Sequence, residues 1–154
     1  MSIEVVGFDP SYAKHFADLN YPWISETYGV EQHDRDVLDN PVESVIEPGG
    51  EIFFALADED VAGTVAMIPF GEDAYELAKM AVDLKFRGRG IGDVLMEACI
   101  ELARSSTRRK IILESNTKQA AAIQLYRKFG FQEIELDPNS HYARVNIRME
   151  LMIS

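Results

Sequence analysis

Apolar and polar positions along this chain alternate between two periods, and the switches mark its elements. Ile52–Ala57 is a strongly apolar run. Asp58-Glu59-Asp60 then reverses the chain into a second apolar run, Val61–Phe70, which predicts an antiparallel hairpin. Gly71–Asp73 turns again, and Ala74–Val82 makes a further strand. From Ile91 the period becomes helical. Ile91, Val94, Leu95, Ala98 and Leu102 share a face while Asp93, Glu97, Glu101 and Arg104 lie elsewhere, so a long helix with a buried Val94–Leu102 stripe is expected. Lys110–Ser115 reads as a short buried strand around Ile111-Ile112-Leu113. Asn116 as N-cap with Gln119 three places later opens the next helix, Ala122, Tyr126 and Phe129 share its stripe, and Gly130 caps its end. Phe131–Leu136 and Tyr142–Met152 are two predicted strands joined through Asp137-Pro138-Asn139. In the second, Val145, Ile147, Met149 and Leu151 alternate with Asn146, Arg148 and Glu150.

Upstream, Ile3–Phe8 is β-rich, and Asp9-Pro10 combines an N-cap with proline at the first helical position. The helix that follows is expected to reach about Asn20, with Pro22 ending or bending it. The segment 21–48 reads as irregular and acidic, with a short helix near Asp34–Leu38. Its carboxylates, Trp23 and Tyr28 suit the wall of an acceptor pocket. Four strands before the glycine turn at 87–92 and three after it predict a mixed α/β sheet covered by helices.

Composition narrows the class. With 154 residues, 47% of them hydrophobic and 10% aromatic, the chain is expected to form one globular domain over 1–154. Its one cysteine, Cys99, excludes an internal disulfide and suits a reducing compartment. No apolar run has membrane-spanning length and no basic-then-apolar leader opens the chain, so a soluble cytoplasmic protein without a membrane partner is expected. The net charge of −11 argues against nucleic acid. Its distribution says more: residues 1–84 hold 3 basic and 18 acidic side chains, residues 85–128 hold 10 and 4, and residues 129–154 hold 2 and 4. One positive island in a negative chain suits one small polyanion bound at the island and cations gathered elsewhere.

That island begins with Arg87-Gly88-Arg89-Gly90-Ile91-Gly92, between a strand and a long helix. Such a turn leaves backbone N–H groups without intrahelical partners, and its glycines admit a ligand close to the backbone, so it reads as an anion site. Neither the dinucleotide pattern G-x-G-x-x-G nor a P-loop fits the run. The pattern that fits is R-x-x-G-x-G, Arg87 through Gly92. It resembles the pyrophosphate-binding motif of the GNAT superfamily of N-acetyltransferases. A second resemblance follows in Asn116–Phe131, where Asn116, Tyr126 and the Y-x-x-x-G-F run ending at Gly130-Phe131 occur in the order found in that family.

The resemblance implies a GNAT acyl-CoA N-acyltransferase fold, with a mostly antiparallel sheet of about seven strands and helices on both faces. It also implies acetyl-CoA as cosubstrate, no metal, and direct transfer to a small amine or a peptide acceptor. It assigns the pantetheine arm to the backbone of Met80, Ala81 and Val82, and the pyrophosphate to the Gly88–Gly92 amides (Arg89, Gly90 and Ile91 among them) with the Arg87 and Arg89 side chains. Asn116 would contact the cosubstrate near its reactive end, and Tyr126 would protonate the leaving thiolate. A backbone N–H of 80–82 would steady the tetrahedral oxyanion, and a phenol, still protonated at neutral pH, suits the acid.

For the base, Glu76 on the strand leading to the site is the candidate, equally readable as a carboxylate paired with Lys79 or an arginine; His15 and His33 are weaker ones. His33-Asp34-x-Asp36 lacks metal-ligand spacing. Cys99 within the helix argues against an acetyl-cysteine intermediate. A noncatalytic acyl-CoA-binding module and an acyltransferase for longer acyl chains are the alternatives. The alternating last strand could pair across a homodimer. The acidic 21–51 segment suits a cationic acceptor.

Overall fold

The computed structural model describes residues 2–153. In chain order its elements are β1 (Ile3–Val6), α1 (Ala13–Thr27), α2 (Gln32–Leu38), β2 (Glu51–Ala57), β3 (Asp60–Phe70), β4 (Ala74–Val82), α3 (Ile91–Arg104), β5 (Lys110–Ser115), α4 (Ala120–Lys128), β6 (Gln132–Ile134) and β7 (Ile147–Met152), with a π turn at Val42–Ile46 before β2. The seven strands form one sheet in the order β1-β2-β3-β4-β5-β7-β6. All neighbours are antiparallel except β4 and β5.

Strand alternation gives the sheet two buried faces. Ile52, Phe54 and Ala66 pack with Phe16 and Ile24 of α1 and Val37 and Leu38 of α2. Ala55, Ala57, Val65 and Met67 pack on the opposite side with α3 and with Tyr126 of α4. The expected mixed sheet with helices on both faces is therefore present, and the hairpin β2–β3 lies where the sequence pattern puts it. Within α3 the deepest positions are Leu95, Met96, Cys99 and Ala103, all fully buried. Val94 and Leu102 lie only at the margin of that core, so the predicted stripe is rotated toward Cys99, the side on which α3 meets the sheet.

Several boundaries differ from the pattern. Helix α1 does not stop near Asn20 but runs through Pro22 to Thr27. Phe16, Asn20 and Ile24 keep a buried row at spacing four, while Pro22 and Asp18, whose carbonyl proline leaves unpaired, face solvent. The 21–48 segment is therefore largely helical, not irregular. Helix α4 begins at Ala120 without a side-chain cap, because Asn116 Oδ1 accepts from Lys118 N in a local turn at 2.9 Å. The last two strands are shorter than their alternation suggested, and 142–146 is irregular. Finally, β7 lies between β5 and β6, so it is not the free edge that a dimer pairing would need.

The feature that makes a site is the parting of β4 from β5. Their parallel pairing covers only Ala74–Glu76 against Lys110–Ile112. Beyond it β5 stays with β7 through Ser115, and β4 bulges. Ala78 pairs with Ala66 but Ala81 with Thr64, so Lys79 and Met80 together oppose Val65. Lys79 takes φ +57 at this bulge.

Gly50 holds the turn into β2. A Cβ there would lie 2.3 Å from the Met67 carbonyl oxygen and 2.7 Å from that of Val45. Both are backbone atoms, so Gly50→Ala is expected to destabilise the fold by about 2 kcal/mol or more. Urea denaturation measures it, and wild-type stability of the variant would contradict this packing.

Candidate active site

A groove of about 640 Å³ runs from the start of α3 to the gap between β4 and β5, flanked by Met80, Ala81 and Val82 on one side and by the start of α4 on the other. At its outer end Gly88 and Gly90 have φ of +74° and +79°, the left-handed region in which side chains are strained. A Cβ on Gly88 would meet nothing within 4 Å, so the loop is open to a ligand. The first bond of α3 runs from Val94 N to Gly90 O at 3.2 Å, so the N–H groups of Ile91, Gly92 and Asp93 have no partner within the helix. Gly92 serves the other wall, since a Cβ there would approach Leu125 of α4 to 3.1 Å. Arg87 lines the groove, whereas the Arg89 guanidinium rests 5.8 Å from the Phe86 ring.

The groove shares Trp23, Met80 and Gln119 with a small inner cavity of about 70 Å³ between the parted strands. Glu76, Glu114, Asn116, Tyr126, Tyr142 and Arg144 line that cavity. A second chamber of about 230 Å³ lies beyond, and it too is bounded by Glu76 and Glu114. Two approaches therefore meet at a pair of carboxylates.

Glu76 is held up to about 7, first by burial and then by the neighbouring Glu114 carboxylate, with Lys79 and Arg148 pulling the other way. It makes no ion pair among the described residues. The pairing with Lys79 expected as one reading is absent because Lys79 turns to Asp34. Tyr126 is 7% exposed and packs against Phe131, ring centroids 5.8 Å apart. Burial, with a smaller contribution from Cys99, pushes its phenol up to about 12, so it stays protonated. Cys99 is wholly buried and burial raises its thiol, which keeps it from acting as a nucleophile. Asn116 lies in the inner cavity wall, donating from Nδ2 to the Arg144 carbonyl at 2.7 Å.

His15 is exposed on α1, away from these cavities. His33 is half-buried in the second chamber and stacked on His141, centroids 4.2 Å apart. Burial first, then His141, lowers its basicity.

Sequence reasoning overlooked Glu114 and the group Asp34, Lys79, Tyr142 and Arg144. Glu114 was accessible: Ile112 pairs with Glu76, and two residues on, Glu114 returns to the same side of the sheet. One of its carboxylate oxygens, Oε2, is buried without a hydrogen-bond partner. Lys79 was not accessible, because a bulge reverses the alternation on which such placement depends. Among the described residues no group of His, Cys, Asp and Glu is arranged to hold a metal ion, and no helix is long and apolar enough to cross a membrane.

The sequence model of the acetyltransferase (GNAT) family matches residues 13–131, and the chain belongs to that family. It is 29% identical to N-acetyltransferase 8B of Rattus norvegicus over 133 residues, which cover 82% of this chain and 59% of the relative. It is 31% identical to the N-acetylaspartate synthetase of the same organism over 105 residues, 68% of this chain and 34% of that one. The chain thus spans between about a third and three fifths of the length of these relatives. Among solved structures, a GNAT acetyltransferase from Staphylococcus aureus superposes with TM-score 0.89 at 21% identity, covering 99% of this chain and all of that one. An acetyltransferase from Salmonella typhimurium, solved with its cofactor acetyl-CoA, gives 0.77 at 15% identity, covering all of this chain and 95% of its own. These establish the GNAT fold.

Proposed function

We propose that this protein transfers the acetyl group of acetyl-CoA directly to a primary amine. The observation that carries this reading is the inner cavity, walled by Tyr126, which shares Trp23, Met80 and Gln119 with the groove and Glu76 and Glu114 with the second chamber. The left-handed glycines, the unpartnered N–H groups of α3 and the β4 edge left bare by the parting from β5 all fit a pantetheine diphosphate. Acetyl-CoA supplies an activated thioester. The amides of 88–92 with Arg87 hold its diphosphate, and the backbone of Met80–Val82 holds its arm. A backbone N–H just past the bulge donates to the oxygen that becomes an oxyanion. Glu76, poised near neutrality beside Glu114, takes a proton from the bound ammonium, and the neutral amine so formed attacks the thioester carbonyl. Tyr126 gives its proton to the departing thiolate and is reprotonated by the nitrogen as that becomes the amide N–H. Asn116 steadies the segment 142–146 and contacts the cosubstrate near its reactive end.

The second chamber bears on the acceptor. Asp36, Glu76, Glu114 and Asp137 line it against one fixed cation, Arg148. Lys79 and Arg144, the other cations near the transfer point, are both engaged by Asp34. This arrangement favours an amine that carries further positive charge and disfavours one bearing carboxylates, such as the aspartate implied by the name of one relative. Thiol release measured across amines tests it: kcat/KM for a short aliphatic diamine is expected to exceed that for aspartate by about tenfold or more, roughly 1.4 kcal/mol. Faster turnover of aspartate would contradict the charge argument. Tight acetyl-CoA binding with no amine turned over would instead favour a noncatalytic binding module.

A further inference from the structure

Resting on that reading, we propose that Asp34 is a positioning residue. From α2 it sets both the β4 bulge that presents the oxyanion donor and the segment that places Tyr142 in the wall of the inner cavity. Asp34 is fully buried, and both its oxygens are occupied. Arg144 Nη1 donates to Oδ2 at 2.8 Å and Nη2 to Oδ1 at 2.7 Å, a bidentate fork. Lys79 Nζ donates to Oδ1, and Glu31 N donates to Oδ2 at 2.8 Å. Lys79 Nζ also donates to Tyr142 Oη at 2.9 Å. The Lys79 carbonyl accepts from Asn20 Nδ2 of α1 at 3.1 Å. One carboxylate thus joins α2, the bulge residue of β4 and the segment before β7, which no ladder bond ties together.

Two facts argue that this network does more than stabilise. A buried ion pair is often no better for stability than apolar packing of the same volume. And a non-glycine residue at positive φ is strained unless its surroundings over-determine it. Here Asn20 fixes the Lys79 carbonyl while Asp34 fixes its side chain, so the bulge is held from two helices. The amides just beyond it are those assigned to the thioester oxygen. The diphosphate cradle at 88–92 makes none of these contacts, which predicts that chemistry and cosubstrate binding separate on mutation.

The test uses the full chain. Asp34→Asn is expected to lower kcat by about 30-fold or more, a magnitude within the range of a lost oxyanion donor, while Kd for coenzyme A by calorimetry stays within about threefold. The division between kcat and coenzyme A affinity is the readout that a scaffolding role would not give, and the pH profile reads the same network through Glu76. Glu76 is faced by Glu114 from β5, Arg148 from β7, Lys79 on its own strand and Tyr142 from the loop. Lys79→Met removes a cation that favours ionised Glu76, so the acid limb of kcat/KM moves to higher pH. Asp34→Asn removes the carboxylate that keeps the buried Lys79 charged, so it weakens the same cation and the limb moves in the same direction, to higher pH. If Asp34→Asn fails to fold, Arg144→Lys, which keeps the charge but loses the fork, is expected to show the same division with a loss of about fivefold. Unchanged kcat in a folded variant, or kcat and coenzyme A affinity falling together, overturns this inference alone. A wild-type protein that turns over no amine overturns the proposed function with it.

Discussion

Tyr126→Phe is expected to lower kcat by about 100-fold or more while leaving coenzyme A affinity close to wild type, because general acid catalysis contributes roughly two to four orders of magnitude. The substitution removes one oxygen from a ring that remains packed against Phe131 and in the α3–α4 core, so the melting temperature should hardly move. The phenol is well placed for the role. Burial keeps it protonated, its hydroxyl has no hydrogen-bond partner among the described residues, and it borders the cavity into which the groove leads. Pre-steady-state thiol release alongside calorimetry separates the two effects. An unchanged turnover number would remove Tyr126 as the acid.

Glu76→Gln is the second large effect, an expected loss of about 100-fold in kcat/KM above pH 7 together with disappearance of the limb that rises through that region. The same residue carries a stability cost of definite sign. Its folded-state pKa is raised from 4.5 to about 7, so the folded protein retains a proton that the unfolded chain releases. The stabilisation from that retained proton is fully present below the unfolded value and is lost as pH rises through 7. Glu76→Gln cannot ionise and escapes the loss. It should therefore gain up to about 2–3 kcal/mol relative to wild type at pH 8 over its difference at pH 4. Thermal melts of both proteins at the two pH values check this, and a constant difference would show that Glu76 titrates normally.

Much of the fold was written in periodicity. The hairpin Ile52–Phe70, the long helix from Ile91 and the short Ile111-Ile112-Leu113 strand obey alternation or helical spacing because each buries one face or both. What failed did so for physical reasons. Pro22 reads as a terminator, but its ring faces solvent and the buried row Phe16, Asn20, Ile24 carries the helix past it. Asn116 reads as an N-cap, but its carboxamide closes a turn on Lys118 and holds Arg144 instead. The proposed diphosphate cradle was legible because consecutive residues form it. The Asp34–Lys79–Arg144 network was not, since its members lie 45 and 110 positions from Asp34 and meet only where a bulge inverts β4. In isolation Asp34 looked like one acid in an acidic stretch.

The central claim is that backbone amides at 88–92 and the bare edge of β4 together hold a pantetheine diphosphate with its sulfur directed at Tyr126. Isothermal titration of the folded protein with coenzyme A tests it most directly. Saturable binding at one site, weakened in a variant carrying Gly90→Val, is the result expected. Absence of any heat at millimolar coenzyme A from well-folded protein would contradict it.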